Sequence, residues 1–141
     1  MKRFISFALC FVLVISFSVI GASAYNIGAD GELISPRYEV ISNVYISLDI
    51  SSSGKASCYA DVDTSPAYSC DLTVELQEKS GSSWTTIKTW TASDDGTGYT
   101  YVDGTWYVLP GAYQLKVTIE VYNSRGVLVE DPVEYSDTRY Y

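Results

Sequence analysis

Apolar side chains recur at every second position through much of this chain. Val44, Ile46, Leu48 and Ile50 alternate with Tyr45, Ser47 and Asp49. Ala56, Cys58, Ala60 and Val62 alternate with Ser57, Tyr59, Asp61 and Asp63, and Cys70, Leu72, Val74 and Leu76 form a third set. The longest run places Tyr113, Leu115, Val117, Ile119 and Val121 on one side and Gln114, Lys116, Thr118, Glu120 and Tyr122 on the other. Successive side chains of a strand point to opposite faces, so this period predicts half-buried strands. Gly, Ser, Asn and Asp clusters at 51–55, 79–83, 94–98 and 123–126 supply the turns between them.

Two segments depart from clean alternation. Trp84, Ile87 and Trp90 are spaced by three, which a helix would allow, but Thr85, Thr86, Thr89 and Thr91 disfavour one. A bulged strand is predicted there, with its buried face left open. Tyr99–Val102 and Trp106–Val108 flank Asp103-Gly104, a favoured two-residue turn, so a hairpin is predicted. Val127–Glu130 and Val133–Tyr135 read as short final strands. The sum is an all-β, two-sheet sandwich of about seven antiparallel strands. Its expected bounds are residues 36–136, with a loose lead at 25–35 and a tail at 137–141.

The first residues follow a different pattern. Lys2 and Arg3 precede an apolar run from Phe4 to Ile20, and Gly21-Ala22-Ser23-Ala24 supplies small residues for cleavage. Residues 1–24 therefore read as a signal peptide, and the mature chain as secreted, with no membrane association after cleavage. The run is short for a spanning helix, no stop-transfer charges follow, and Cys10 lacks the setting of a lipidated cysteine. Removing the leader leaves 117 residues, with seven Lys/Arg against seventeen Asp/Glu, a charge of −10. Such an acidic chain argues against nucleic acid and anionic membrane surfaces as partners, and predicts a soluble monomer. The two mature cysteines, Cys58 and Cys70, face inward on sequential strands in an oxidising compartment, so a disulfide between them is expected.

The run Leu109-Pro110-Gly111-Ala112-Tyr113-Gln114-Leu115-Lys116-Val117 resembles a stretch of fibronectin type III and related immunoglobulin-like domains. That resemblance implies an immunoglobulin-like sandwich in which Tyr113 makes a tyrosine corner, its hydroxyl bonded to backbone near the preceding loop. The mature chain also resembles small secreted bacterial β-sandwich proteins of uncharacterised function. The match runs through Ser35-Pro36-Arg37-Tyr38, Ser53-Gly54-Lys55-Ala56-Ser57-Cys58 and Leu72-Thr73-Val74-Glu75-Leu76-Gln77, and covers most of residues 35–130. It implies no activity. The cysteines depart from antibody-type domains, whose bridge joins the second and sixth strands, because both lie before the fourth strand here.

No constellation for catalysis, metal or cofactor stands out. The chain has no histidine, so a Ser-His-Asp site is impossible, and its serines cluster in turns. Glu75 and Glu120 are the best carboxylate pair for glycoside hydrolysis, yet both occupy the solvent face of an alternation. Asp61-Asp63 and Asp94-Asp95 could offer oxygens to calcium but fit no EF-hand spacing. Aromatic content is the unusual feature: three Trp and thirteen Tyr, all outside the leader. Tyr45, Tyr59 and Tyr122 fall on outward faces, while Tyr99, Tyr101, Trp106 and Tyr107 crowd the predicted hairpin. These four are the candidate binding residues, suited to sugar stacking or protein contact. The expected function is a non-enzymatic extracellular domain that binds a protein or glycan. The alternative is a structural or envelope-associated protein without a small ligand.

Overall fold

The computed structural model describes residues 32–34 and 38–141. The signal peptide expected at 1–24, Cys10, most of the 25–35 lead and Ser35-Pro36-Arg37 lie outside the described residues. Ten strands follow in chain order: β1 (Glu32–Ile34), β2 (Ile41–Ile50), β3 (Lys55–Thr64), β4 (Ser69–Ser80), β5 (Ser83–Asp94), β6 (Tyr99–Tyr107), β7 (Ala112–Tyr122), β8 (Leu128–Glu130), β9 (Val133–Tyr135) and β10 (Arg139–Tyr140). No helix occurs among the described residues.

The strands form two antiparallel sheets. One is ordered β1-β2-β3-β6; in the other β5, β4 and β7 lie side by side, and β8, β9 and β10 each pair with the far edge of β7. The alternating apolar residues of β2, β3, β4 and β7 meet between the layers. Val44, Ala60, Val62, Leu72, Val74, Leu76, Leu115, Val117 and Ile119 are all fully buried. The period of two thus becomes one dry interior shared by both sheets.

The bulge in β5 explains its spacing of three. Leu76 pairs with Lys88 and Gln77 with Thr86, which leaves Ile87 as the extra residue. One inserted residue flips the phase of the strand. Ile87, Trp90 and Ala92 pack against the core, whereas Thr85, Thr86, Thr89 and Thr91 are exposed.

Three expectations need correction. The predicted hairpin at Asp103-Gly104 is not there: β6 runs unbroken from Tyr99 to Tyr107 along β3, with Gly104 opposite Cys58. Gly104 serves close packing instead of a turn. A Cβ on it would lie 2.5 Å from Cε2 of Trp90, so the indole occupies the space a side chain would need. The expected tail at 137–141 is part of the sheet. Arg139 and Tyr140 pair with Tyr113 and Ala112, Tyr141 and Gly111 exchange two backbone hydrogen bonds of 3.0 and 3.1 Å, and the Arg139 Nε donates to the Leu48 carbonyl at 3.0 Å. The lead likewise contains β1, paired with β2.

The third correction concerns the cysteines, which are free and buried. Alternation correctly put both inside but says nothing of depth along the strands. Cys58 lies level with Gly104, beneath Trp90, and Trp90 pairs with Val74. Cys70 is four residues from Val74, about 13 Å along the strand. A disulfide needs Cα atoms within about 7 Å.

The second sheet is also tied to the first at its β7 side. The Glu130 carboxylate accepts three backbone N–H bonds at the entrance to β2, from Glu39 (2.7 Å), Val40 (2.9 Å) and Ile41 (3.1 Å). Tyr38 donates its hydroxyl to Glu134 at 2.9 Å beside it.

Candidate functional site

The outward residues of β2, β3 and β6 form the one face where aromatic side chains gather in mutual contact among the described residues. The register sets this arrangement. Asp63 pairs with Tyr99, Asp61 with Tyr101 and Tyr59 with Asp103, while Tyr45 and Ser47 of β2 pair with Asp61 and Tyr59. Tyrosines and aspartates therefore interleave in a checkerboard. Cross-strand and diagonal neighbours on one face are close enough for such rings to touch.

They do touch. The Tyr45 and Tyr59 rings meet edge to face, with centroids 5.9 Å apart and planes at 61°. Tyr99 and Tyr101 stack at 5.8 Å and 28°. The Tyr59 and Tyr99 hydroxyls lie 3.0 Å apart and join the two pairs. Tyr99 and Tyr101 are successive outward residues of one strand, and their near-parallel rings are neighbours along it. Each ring therefore covers part of its neighbour. Even so, Tyr101 keeps 55% and Tyr99 45% of its surface exposed.

The face is acidic. Asp49, Asp61, Asp63 and Asp103 lie on it, and among the described residues the ion pair that forms is Lys116–Glu75, on the other sheet. Partial burial raises the Asp61 carboxyl above its ordinary range, the charge of Asp63 adds to this, and a hydrogen bond from Tyr59 opposes it. The Tyr59 phenol is pushed well above its ordinary value, chiefly by its hydrogen bond with Tyr99, then by burial and by Asp61. Both effects describe a site in which negative charge is already crowded.

Of the four candidate aromatics, the structure brings two together. Tyr99 and Tyr101 join the face, and their partners are Tyr45 and Tyr59, whose outward direction alternation shows but whose proximity depends on register. Tyr107 is 72% exposed but pairs with Lys55 at the opposite end of the sheet. Trp106 pairs with Ala56 on the other side of β6, with the Lys88 ammonium 4.9 Å from its ring centroid. It closes the open edge of the sandwich against β5.

Other candidates resolve differently. The Tyr113 hydroxyl donates to the Leu109 carbonyl at 2.7 Å and lies 3.2 Å from Glu78 Oε1. Asp94 accepts backbone N–H bonds from Gly96 (3.0 Å), Thr97 (2.8 Å) and Gly98 (3.1 Å), as well as the Thr97 hydroxyl. The Thr97 hydroxyl is the main cause of its lowered pKa. Asp94 thus closes its own turn. No group of three or more potential metal ligands occurs among the described residues. Glu75 and Glu120 share a face, but Glu75 pairs with Lys116 and Glu120 with Asp71. They are four residues out of step, about 13 Å along the strands, beyond the separation a glycosidase pair uses.

No known protein family matches the chain, and no curated protein does either.

Proposed function

We propose that this protein is a secreted, immunoglobulin-like binding domain without enzymatic activity, and that its contact surface is the outer face of β2, β3 and β6. The observation that carries the reading is the linked Tyr45-Tyr59-Tyr99-Tyr101 cluster, exposed at Tyr99 and Tyr101 and half-buried at Tyr45 and Tyr59, and interleaved with aspartates that form no ion pair among the described residues. The immunoglobulin-like assignment rests on strand order. The sheet β2-β3-β6 corresponds to strands A, B and E of that fold, and β4, β7 and β8 to C, F and G. The strand after β4 stays beside it, as an added C′ strand does. The Tyr113 hydroxyl bond to Leu109 supports the same reading. Export is supported by the leader at 1–24 and is compatible with free thiols, because burial pushes Cys58 up to about 12 and leaves it almost wholly protonated.

Between the two partner classes, the geometry favours a polypeptide over a glycan. Sugars stack on open ring faces, whereas Tyr45 and Tyr59 pack ring on ring and the Tyr59 and Tyr99 hydroxyls bond each other. The carboxylates among these tyrosines suit Lys and Arg side chains, through charge-assisted hydrogen bonds. The test is a binding screen of the purified domain against arrayed basic peptides and neutral glycans. Tyr101→Ser and Asp61→Asn variants that fold normally are expected to lose the peptide signal. A signal that both variants keep removes this face from consideration.

A further inference from the structure

On the outer face of the other sheet, five polar side chains form a cluster that the binding reading does not use. Thr86 of β5 donates its hydroxyl to Glu75 Oε1 at 2.9 Å. The Gln77 side-chain amide nitrogen lies 3.3 Å from the same Thr86 oxygen. The Gln77 carbonyl oxygen accepts from Gln114 Nε2 at 2.9 Å, in a buried hydrogen bond. Lys116 Nζ sits 2.9 Å from the second Glu75 oxygen. Gln77 and Gln114 are only 8% and 9% exposed, unusual for residues on an outward face. Gln77 and Thr86 are direct cross-strand partners at the bulge.

Each part of an acyl transfer is present. Thr86 is a hydroxyl nucleophile with its proton aimed at a carboxylate base. Lys116 and the Thr86 hydroxyl hold that base ionised at neutral pH, lowering the Glu75 pKa against a burial penalty. The electrophile is Cδ of Gln77, the carbon bonded to the amide nitrogen already beside Thr86. Gln114 donates to the oxygen on which negative charge would develop, the role of an oxyanion donor. The face of Cδ meets Oγ1 once the Gln77 amide turns about its soft terminal torsion, which swings its nitrogen off Thr86, and the Gln114 amide must follow the carbonyl oxygen to remain its donor.

We propose that Thr86 and Gln77 form an autocatalytic ester cross-link between β5 and β4. In the step, Thr86 Oγ1 forms a bond to Gln77 Cδ as its proton passes to Glu75. The tetrahedral carbon then expels the amide nitrogen, which takes that proton from Glu75 and leaves as ammonia. One O–C bond forms and one C–N bond breaks; nothing is oxidised or reduced and no co-reactant is needed. Ammonia is protonated and diluted in water, which opposes the reverse step. The product would fasten the edge strand β5 to the sheet interior at its bulge, where the ladder is interrupted.

The test is intact mass and peptide mapping of the purified full chain, incubated folded at neutral pH. The expected result is a species one ammonia lighter, with the peptide holding Gln77 joined to that holding Thr86 and released by hydroxylamine. Thr86→Ala should keep its full mass, Thr86→Ser should cross-link, and Glu75→Gln should slow the reaction by about 10²-fold or more. Cooperative melting of each variant shows that it is folded. A folded wild-type protein that keeps its full mass, or an ammonia loss that persists in Thr86→Ala, overturns the proposal.

Discussion

Replacing Gly104 by alanine adds one methyl group at the most crowded point of the sandwich. That methyl would lie 2.5 Å from Cε2, 2.7 Å from Nε1 and 2.8 Å from Cδ2 of Trp90. The indole is rigid, and it packs against the core with the Lys88 ammonium 5.9 Å from its ring centroid. The ring or β5 must therefore move. Overpacking of this kind costs about 1–3 kcal/mol. Alanine recovers about 0.5–1 kcal/mol by restricting the unfolded chain. The two ranges net to about 0–2.5 kcal/mol, and an approach as close as 2.5 Å to a rigid ring puts the expectation at the upper end, a loss of about 2 kcal/mol, which for a domain of this size lowers the melting temperature by about 4–8 °C per kcal/mol. Urea unfolding followed by tryptophan emission measures both the loss and the displacement of the indole. The decisive comparison is a double-mutant cycle with Trp90→Leu, which should recover most of the loss because the two residues meet directly. If Asp103-Gly104 were a tight turn, the glycine would need a positive φ and trimming Trp90 would recover nothing. Additive effects in the cycle, or a Gly104→Ala protein as stable as wild type, would refute the packing argument.

Other outcomes follow from the same geometry. Tyr113→Phe removes the hydroxyl that donates to the Leu109 carbonyl and should cost about 1–2 kcal/mol in chemical denaturation, with the fold otherwise intact. The processed chain should show no thiol reactive toward Ellman's reagent while folded, and two upon unfolding without reductant. Their absence after unfolding would restore the disulfide. Asp94 and Glu75 both have folded pKa values below their unfolded ones. Their contribution is complete above the unfolded carboxylate range and declines as pH falls through the lowered values. Melting temperature should therefore drop below about pH 4, and Asp94→Asn should flatten that drop.

Sequence patterning gave access to some elements and not others, for physical reasons. β2, β3, β4 and β7 were legible because each buries one face, and burial of one face imposes a strict period of two. The β5 bulge was legible because Trp84, Ile87 and Trp90 break phase in a threonine-rich segment that cannot be a helix. β6 is not legible as one strand because Asp-Gly carries a strong local turn preference, and the reason for a glycine in mid-strand is an indole from another sheet. β10 leaves no mark in the pattern because a pair as short as Arg139-Tyr140 carries no period. For the cysteines, alternation specified the face but not the depth, and a bridge depends on both. The binding face divided in the same way. The outward direction of Tyr45 and Tyr59 was visible along the chain, while their union with Tyr99 and Tyr101 required knowing that β6 pairs with β3.

The claim on which the functional account rests is that the tyrosine and aspartate face of the four-stranded sheet is where a partner docks. Backbone amide and tyrosine ring NMR shifts of the domain, followed while an arginine-rich peptide is titrated in, test it most directly. The account predicts saturable shifts centred on Tyr45, Tyr59, Asp61, Tyr99 and Tyr101 that weaken as salt is raised. Saturable shifts centred on β4 and β7 instead, or none anywhere, would contradict it.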